Sequence, residues 1–155
     1  MFYFPTHLKK KYTLFFPILS FILLLPPSAA KMSINEIMYH PLDDNEWIEV
    51  YNDYPFPVNL NTWSLTDNKE TDQLVCCSFM PDCSLILSSQ SYALITDQDT
   101  TLYNSFLYPF SSTNVTLICV NDNTLGNGLS NTGDTLTLSN KTTEIIVTYT
   151  SSQGG

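Results

Sequence analysis

Beyond Lys31, no window of the sequence keeps apolar residues on a helical period. What recurs is a short run of β-branched and aromatic residues closed by turn formers, the pattern of strands and tight connections. The runs are Ile34 to Tyr39, Trp47 to Tyr51, Trp63 to Leu65, Leu85 to Leu87, Tyr92 to Ile95, Val115 to Val120, Thr135 to Leu138 and Ile145 to Tyr149. Between them stand Asp43-Asp44-Asn45, Asp53 to Pro57, Asp67 to Asp72, Pro81-Asp82 and Asp122 to Gly128. Asp, Asn, Gly and Pro each bend the chain for a definite steric or hydrogen-bonding reason. Many short strands with frequent turns predict an all-β sandwich or barrel and exclude an alternating α/β fold.

The first thirty residues follow a different logic. Lys9, Lys10 and Lys11 precede an apolar run from Leu14 to Leu25, and Pro26-Pro27-Ser28-Ala29-Ala30 follows. A basic stretch, an apolar stretch and small residues in that order predict a secretory signal peptide, cleaved after Ala30. The apolar run contains Pro17 and is shorter than the roughly 20 helical residues that span a bilayer. The alternative is an uncleaved N-terminal anchor, in which case this segment makes the chain's membrane contact. The expected division is 1–30 signal and 31–155 domain, with a secreted or cell-surface location.

The charge sharpens once this division is made. The whole chain has a net charge of −9, with six Lys, no Arg and fifteen acidic residues. The first thirty residues hold three of the Lys and none of the acids. Three Lys against fifteen acids then leave −12 on residues 31–155. Such a surface repels phosphates and offers few counterion-releasing contacts, so no nucleic-acid partner is expected.

Export also decides how the cysteines read. Outside the cytosol, Cys76, Cys77, Cys83 and Cys119 are expected to pair. A bond between the neighbours Cys76 and Cys77 requires a strained ring. Two pairings remain: 77–83 with 76–119, or 76–83 with 77–119. Neighbours on an extended segment point to opposite sides and so serve different partners. We lean to the first pairing. A zinc site is not expected, because CC-x5-C lacks the usual ligand spacing and His40 is the only His after residue 30.

Candidate chemistry is sparse. Glu36, Glu46 and Glu49 invite a reading as catalytic carboxylates, but solvated or turn-bonding roles are expected for them. His40 precedes Pro41 in a turn and is read as structural or solvated. No nucleophile elbow, HExxH or phosphate loop is present. Asp43-Asp44-Asn45-Glu46, Asp97-Gln98-Asp99 and Asn121-Asp122-Asn123 offer oxygen ligands, yet none follows the twelve-residue calcium loop. Neither a metal nor a cofactor is expected. Two sequons, Asn114-Val115-Thr116 and Asn140-Lys141-Thr142, are candidate glycosylation sites, and Asn140, in a hairpin turn, is the better placed.

In order along the chain, Ile34-Asn35-Glu36-Ile37-Met38-Tyr39, Glu46-Trp47-Ile48-Glu49-Val50-Tyr51-Asn52, Val58-Asn59-Leu60 and Trp63-Ser64-Leu65-Thr66-Asp67 form a series of motifs. Ser91-Tyr92-Ala93-Leu94-Ile95, Gly128 to Leu138 and Val147-Thr148-Tyr149 complete it. Each is weak alone. Together they resemble the lamin tail domain family over about residues 33 to 149, of the secreted prokaryotic type. The resemblance implies an immunoglobulin-like β-sandwich. It implies structural roles for Asn35, Glu36, Glu46, Trp47, Glu49, Asn52, Trp63, Gly133 and Asp134. Trp47 and Trp63 are expected to anchor the core. Gly133 is expected to supply positive φ in a tight turn, with Asp134 bonding backbone amides.

The family continues past the Val-Thr-Tyr strand into one further strand. The sandwich is therefore expected to lack its last strand, leaving an open edge. The function implied is a non-catalytic exported module that docks to a protein or extracellular polymer. The alternative is the targeting or binding part of a larger secreted hydrolase or nuclease.

Overall fold

The computed structural model describes residues 30–41, 45–80, 82–102 and 115–151. Residues 1–29 of the expected signal segment, Asp43, Asp44 and Asn114 lie outside these residues. Ten strands are present: β1 (Met32–Met38), β2 (Trp47–Asn52), β3 (Val58–Asn59), β4 (Ser64–Thr66), β5 (Thr71–Val75), β6 (Ile86–Leu87), β7 (Ser91–Thr96), β8 (Val115–Val120), β9 (Gly133–Ser139) and β10 (Glu144–Thr150). The all-β expectation is met. Two strands, β3 and β5, were not among the runs read from composition. Thr71 and Asp72, read as turn residues, open β5.

Eight strands hydrogen-bond in the order β1-β2-β7-β8-β5-β4-β9-β10, and β3 pairs with β6 in a small second sheet. Every pairing is antiparallel except β7 with β8. The large sheet doubles over at β5. Thr71, Asp72 and Gln73 pair with β4, whereas Leu74 and Val75 pair with β8. One strand thus belongs to both layers of the sandwich.

The core lies between the layers. Ile48, Val50, Ala93, Ile95, Ile118, Val120 and Leu74 face Leu65, Leu136 and Leu138, and Leu60 and Trp63 belong to the same cluster. All these side chains are at most 3% exposed, and alternation on each strand puts them there. Burial of this kind contributes about 25 cal/mol per Å² of apolar surface and is the main force joining the layers.

Trp63 anchors this core as expected, but Trp47 does not. Trp47 alternates with Ile48 and faces the other side of its sheet, where it packs with Cys77, Leu94, Leu102, Leu117 and Cys119 in a second cluster. The first layer is therefore apolar on both faces at one end.

The pairing of cysteines corrects the preferred reading. Cys76 bonds Cys83, and Cys77 bonds Cys119. The reason is side-chain parity. Leu74 points into the main core, so Val75 and, two residues on, Cys77 point to the outer face. Cys119 lies on that same face with Leu117, and its backbone is opposite Val75. Cys76 is left exposed and reaches Cys83 within its own loop.

Candidate functional site

Two regions stand out: a loop held by carboxylates and an open seam between the outermost strands. The loop spans residues 121–132. Leu125 and Leu129 plug it into the main core. That leaves the backbone amides between them facing polar partners, and each must be satisfied. The Gly128 amide bonds the Leu125 carbonyl, and three carboxylates, two from the β4–β5 hairpin and one just before β2, take the others. Asp72 Oδ2 accepts the Gly126 N–H at 2.7 Å, Asp67 Oδ2 the Asn127 N–H at 3.0 Å, and Glu46 Oε2 the Leu129 N–H at 2.9 Å. Gly126 has φ +57°, and a Cβ there would collide with the Asp67 carboxylate. Glu46 thus has the turn-bonding role expected of it.

The electrostatics of these acids differ. Burial tends to raise the Asp67 carboxyl, but the amides of Asn127, Glu70 and Lys69, with the Lys69 charge, hold it below the usual value. Asp72 moves the other way. Burial raises it, only the Gly126 amide opposes, and the charges of Glu70, Asp122 and Asp67 push it further up. Oxygens of Glu70, Asp72 and Asp122 lie within 4.8 Å of one another. Such oxygens suit a hard cation, although Asp72 is already engaged with Gly126. Only Asp122 of this trio belonged to the clusters singled out from sequence.

Among the described residues of the three clusters, other polar groups serve the fold. Asp97 accepts the Asp99 N–H at 2.8 Å, and burial raises its carboxyl. Gln98 bridges to Ser78 N and Val120 O. Asn45 Oδ1 accepts the Thr101 N–H at 2.6 Å. Asn121 accepts the Gln73 N–H at 2.7 Å.

The remaining motif residues fall where strand alternation sends them. Glu36 and Glu49 are opposite each other on the outer face of β1 and β2. A register shift between Ile34 and Glu36 turns Asn35 outward too, and its amide donates to Glu49 at 2.5 Å. Asn52 is fully buried. It donates to the carbonyls of Phe56, Leu87 and Ser88 and accepts the Tyr54 N–H, joining β2 to the β6 region. Gly133 has φ +136°, as expected. Asp134 accepts from the Thr135 amide at 2.8 Å and from the Asn68 side chain. A cleft of about 160 Å³ is lined by Asp134 but by neither Glu36 nor Glu46. The candidate acids therefore do not converge there. His40 is exposed. Asn140 Oδ1 accepts the amides of Thr142 and Thr143, the turn expected of it.

The seam is formed by β1 and β10, the two ends of the strand order. Tyr39 and Tyr149 close one end, with ring centroids 4.7 Å apart and planes 23° from parallel. The Tyr149 hydroxyl donates to the Ser130 carbonyl at 3.0 Å. At the other end the strands separate around a groove of about 340 Å³, lined by Lys31, Met32 and Ile34 from one strand's side, by Glu144, Ile145, Ile146 and Val147 from the other's, and by Tyr54. Ile146, on the outward side of β10, is 58% exposed.

A doubled-over β-sheet enclosing one core, with loops braced by side-chain hydrogen bonds, defines an immunoglobulin-like interaction domain. Residues 26–153 match the family model described as Lamin Tail Domain, and the chain belongs to that family. No curated protein and no solved structure matches the chain.

Proposed function

We propose that this lamin tail domain is a non-catalytic exported module that docks to a cell-surface or extracellular partner, a protein or a polymer. The observation that carries the reading is the seam. Among the described residues it combines the two outermost strands of the large sheet, a groove lined by both apolar and polar side chains, and an exposed Ile146. Exposed edges and apolar patches are where sheet proteins meet other molecules. The basic, apolar and small-residue order of residues 1–30 supports export. The two disulfides fit an oxidising compartment.

The test has two parts. The chain recovered outside the producing cells is expected to begin at Lys31. When labelled, it is expected to bind those cells or their matrix saturably and to be displaced by unlabelled chain. Retention in the cytosol, or an absence of saturable binding, would overturn the reading.

A further inference from the structure

We propose that the Cys76–Cys83 disulfide is a thiol-exchange site, at which a small aliphatic thiol becomes reversibly bonded to Cys76 while Cys77–Cys119 stays closed. The site shares no residue with the seam and goes beyond the docking reading. The first argument is the contrast between two bonds that start on neighbouring residues. Cys77 and Cys119 are 2% and 0% exposed and lie in the second apolar cluster with Trp47, Leu94, Leu102 and Leu117. Cys76 is exposed and Cys83 half-buried. Exchange begins when a thiolate reaches a disulfide sulfur, so access governs its rate, and exposed disulfides are the labile ones. A charged thiolate is also strongly disfavoured inside an apolar cluster. The alternation that turns Cys76 and Cys77 to opposite sides therefore leaves one bond open to solvent and seals the other.

The second argument is that the loop keeps its place when the outer bond opens. Gln98 Oε1 accepts the Ser78 N–H at 2.8 Å, and its Nε2 donates to the carbonyls of Cys76 and Val120 at 3.4 and 2.9 Å. Cys77–Cys119 ties this same flank to β8. On the other flank, the Leu85 carbonyl accepts the Leu60 N–H at 2.8 Å, and Leu87 is part of the main core. These anchors do not depend on the Cys76–Cys83 bond, and they hold the two Cα atoms 5.6 Å apart. Opening is local, and the two sulfurs stay within reach for closure.

The chemistry is a single displacement. The thiolate of the incoming thiol attacks Cys76 Sγ, the more exposed sulfur. A new S–S bond forms to Cys76 as the bond to Cys83 breaks. Cys83 Sγ leaves with the electron pair and takes up the proton that the incoming thiol gave to water. One disulfide replaces another, so no separate oxidant or reductant is consumed. In reverse, the Cys83 thiolate attacks Cys76 Sγ and expels the thiol. The burial of Cys77 and Cys119 keeps the freed thiolate out of the second bond.

The test uses the full chain with both disulfides formed and a large excess of N-acetylcysteine. Timed samples are trapped with N-ethylmaleimide and mapped by mass spectrometry of peptides under non-reducing conditions. Early samples are expected to carry N-acetylcysteine on Cys76 and the maleimide on Cys83, with Cys77–Cys119 intact. Cys76–Cys83 is expected to open about a hundredfold faster than Cys77–Cys119 in the native chain, and within about tenfold of it in urea, where both are exposed. Circular dichroism is expected to stay unchanged while the adduct forms. Removing the thiol by gel filtration before trapping is expected to restore Cys76–Cys83.

Equal opening of both bonds in the native chain, or loss of the β-sheet signal at the rate of adduct formation, would make unfolding the route and overturn the proposal. An adduct on Cys83 in place of Cys76 would overturn it too. So would a Cys76–Cys119 or Cys77–Cys83 bond after closure, or a native chain that takes no adduct.

Discussion

Glu46 and Leu129 stand 83 positions apart, and the carboxylate of one accepts the backbone N–H of the other at 2.9 Å. The bond ties the start of β2 to a loop whose Leu125 and Leu129 are part of the core. Removing the acceptor leaves a partly buried amide without its partner, which costs about 1–3 kcal/mol. Glu46→Ala is therefore expected to lower stability by that amount in denaturant titration. Glu46→Gln keeps an oxygen acceptor and is expected to lose less than half as much.

The two aspartates that share this loop are expected to respond oppositely to acid. Asp67 is held below its ordinary value of 3.8, so the stability it contributes is present at neutral pH and lost as pH falls through the folded-state value. Asp72 is raised above 3.8, so it opposes folding at neutral pH, and that penalty disappears as pH falls through its folded value toward 3.8. Asp67→Asn is expected to lower the melting temperature at pH 7. Asp72→Asn keeps an acceptor for Gly126 and is expected to hold or raise it. The effect of each substitution shrinks to near zero once the pH lies below both the folded and unfolded values. Melting curves across pH 3 to 7 for wild type and both variants check the signs.

Much of this fold is legible in the residues themselves. Ile48/Val50 against Trp47/Glu49 is a period-two signal, and the structure obeys it. Gly133 and Asn140 announce turns by residue type alone. The missed elements are missed for physical reasons. Thr71-Asp72-Gln73 has no apolar alternation, because its place in the fold is set by pairing with β4, and Asp72 is buried for an amide 54 residues away. The disulfide partners depend on which face Leu74 takes, and that is decided only when β5 docks on β8. The groove is a relation between strands more than a hundred residues apart. Ile34 and Ile145 give no sign in their own neighbourhoods that they line it.

The two disulfides close loops of very different length, with sequence separations of 42 for Cys77–Cys119 and 7 for Cys76–Cys83. Chain entropy alone gives about 4 kcal/mol for the longer loop and about 2 kcal/mol for the shorter. Paired Cys→Ala variants are expected to fall in that order in thermal melts. The longer bond also packs the second cluster, since Cys77 and Cys119 are 2% and 0% exposed. Its loss is therefore expected to exceed the entropic figure.

Gly133 leaves no room for a side chain. Its φ is +136°, and a Cβ would stand 2.7 Å from the Tyr149 carbonyl oxygen and 3.2 Å from the Thr150 Cα. Both are backbone atoms that cannot move without shifting β10. Gly133→Ala is expected to cost about 2 kcal/mol or more from the disfavoured conformation and the overlap together. Equilibrium unfolding in urea checks it, with an unchanged m-value separating simple destabilisation from a change in the unfolded chain.

Because β5 lends its first half to one layer and its second half to the other, the sandwich has a spine in place of a hinge. The layers cannot swing apart like the covers of a book while that strand is whole. Heat or force must instead rupture the spine, and with it both layers at once. Calorimetry is then expected to record one melting peak for the whole domain.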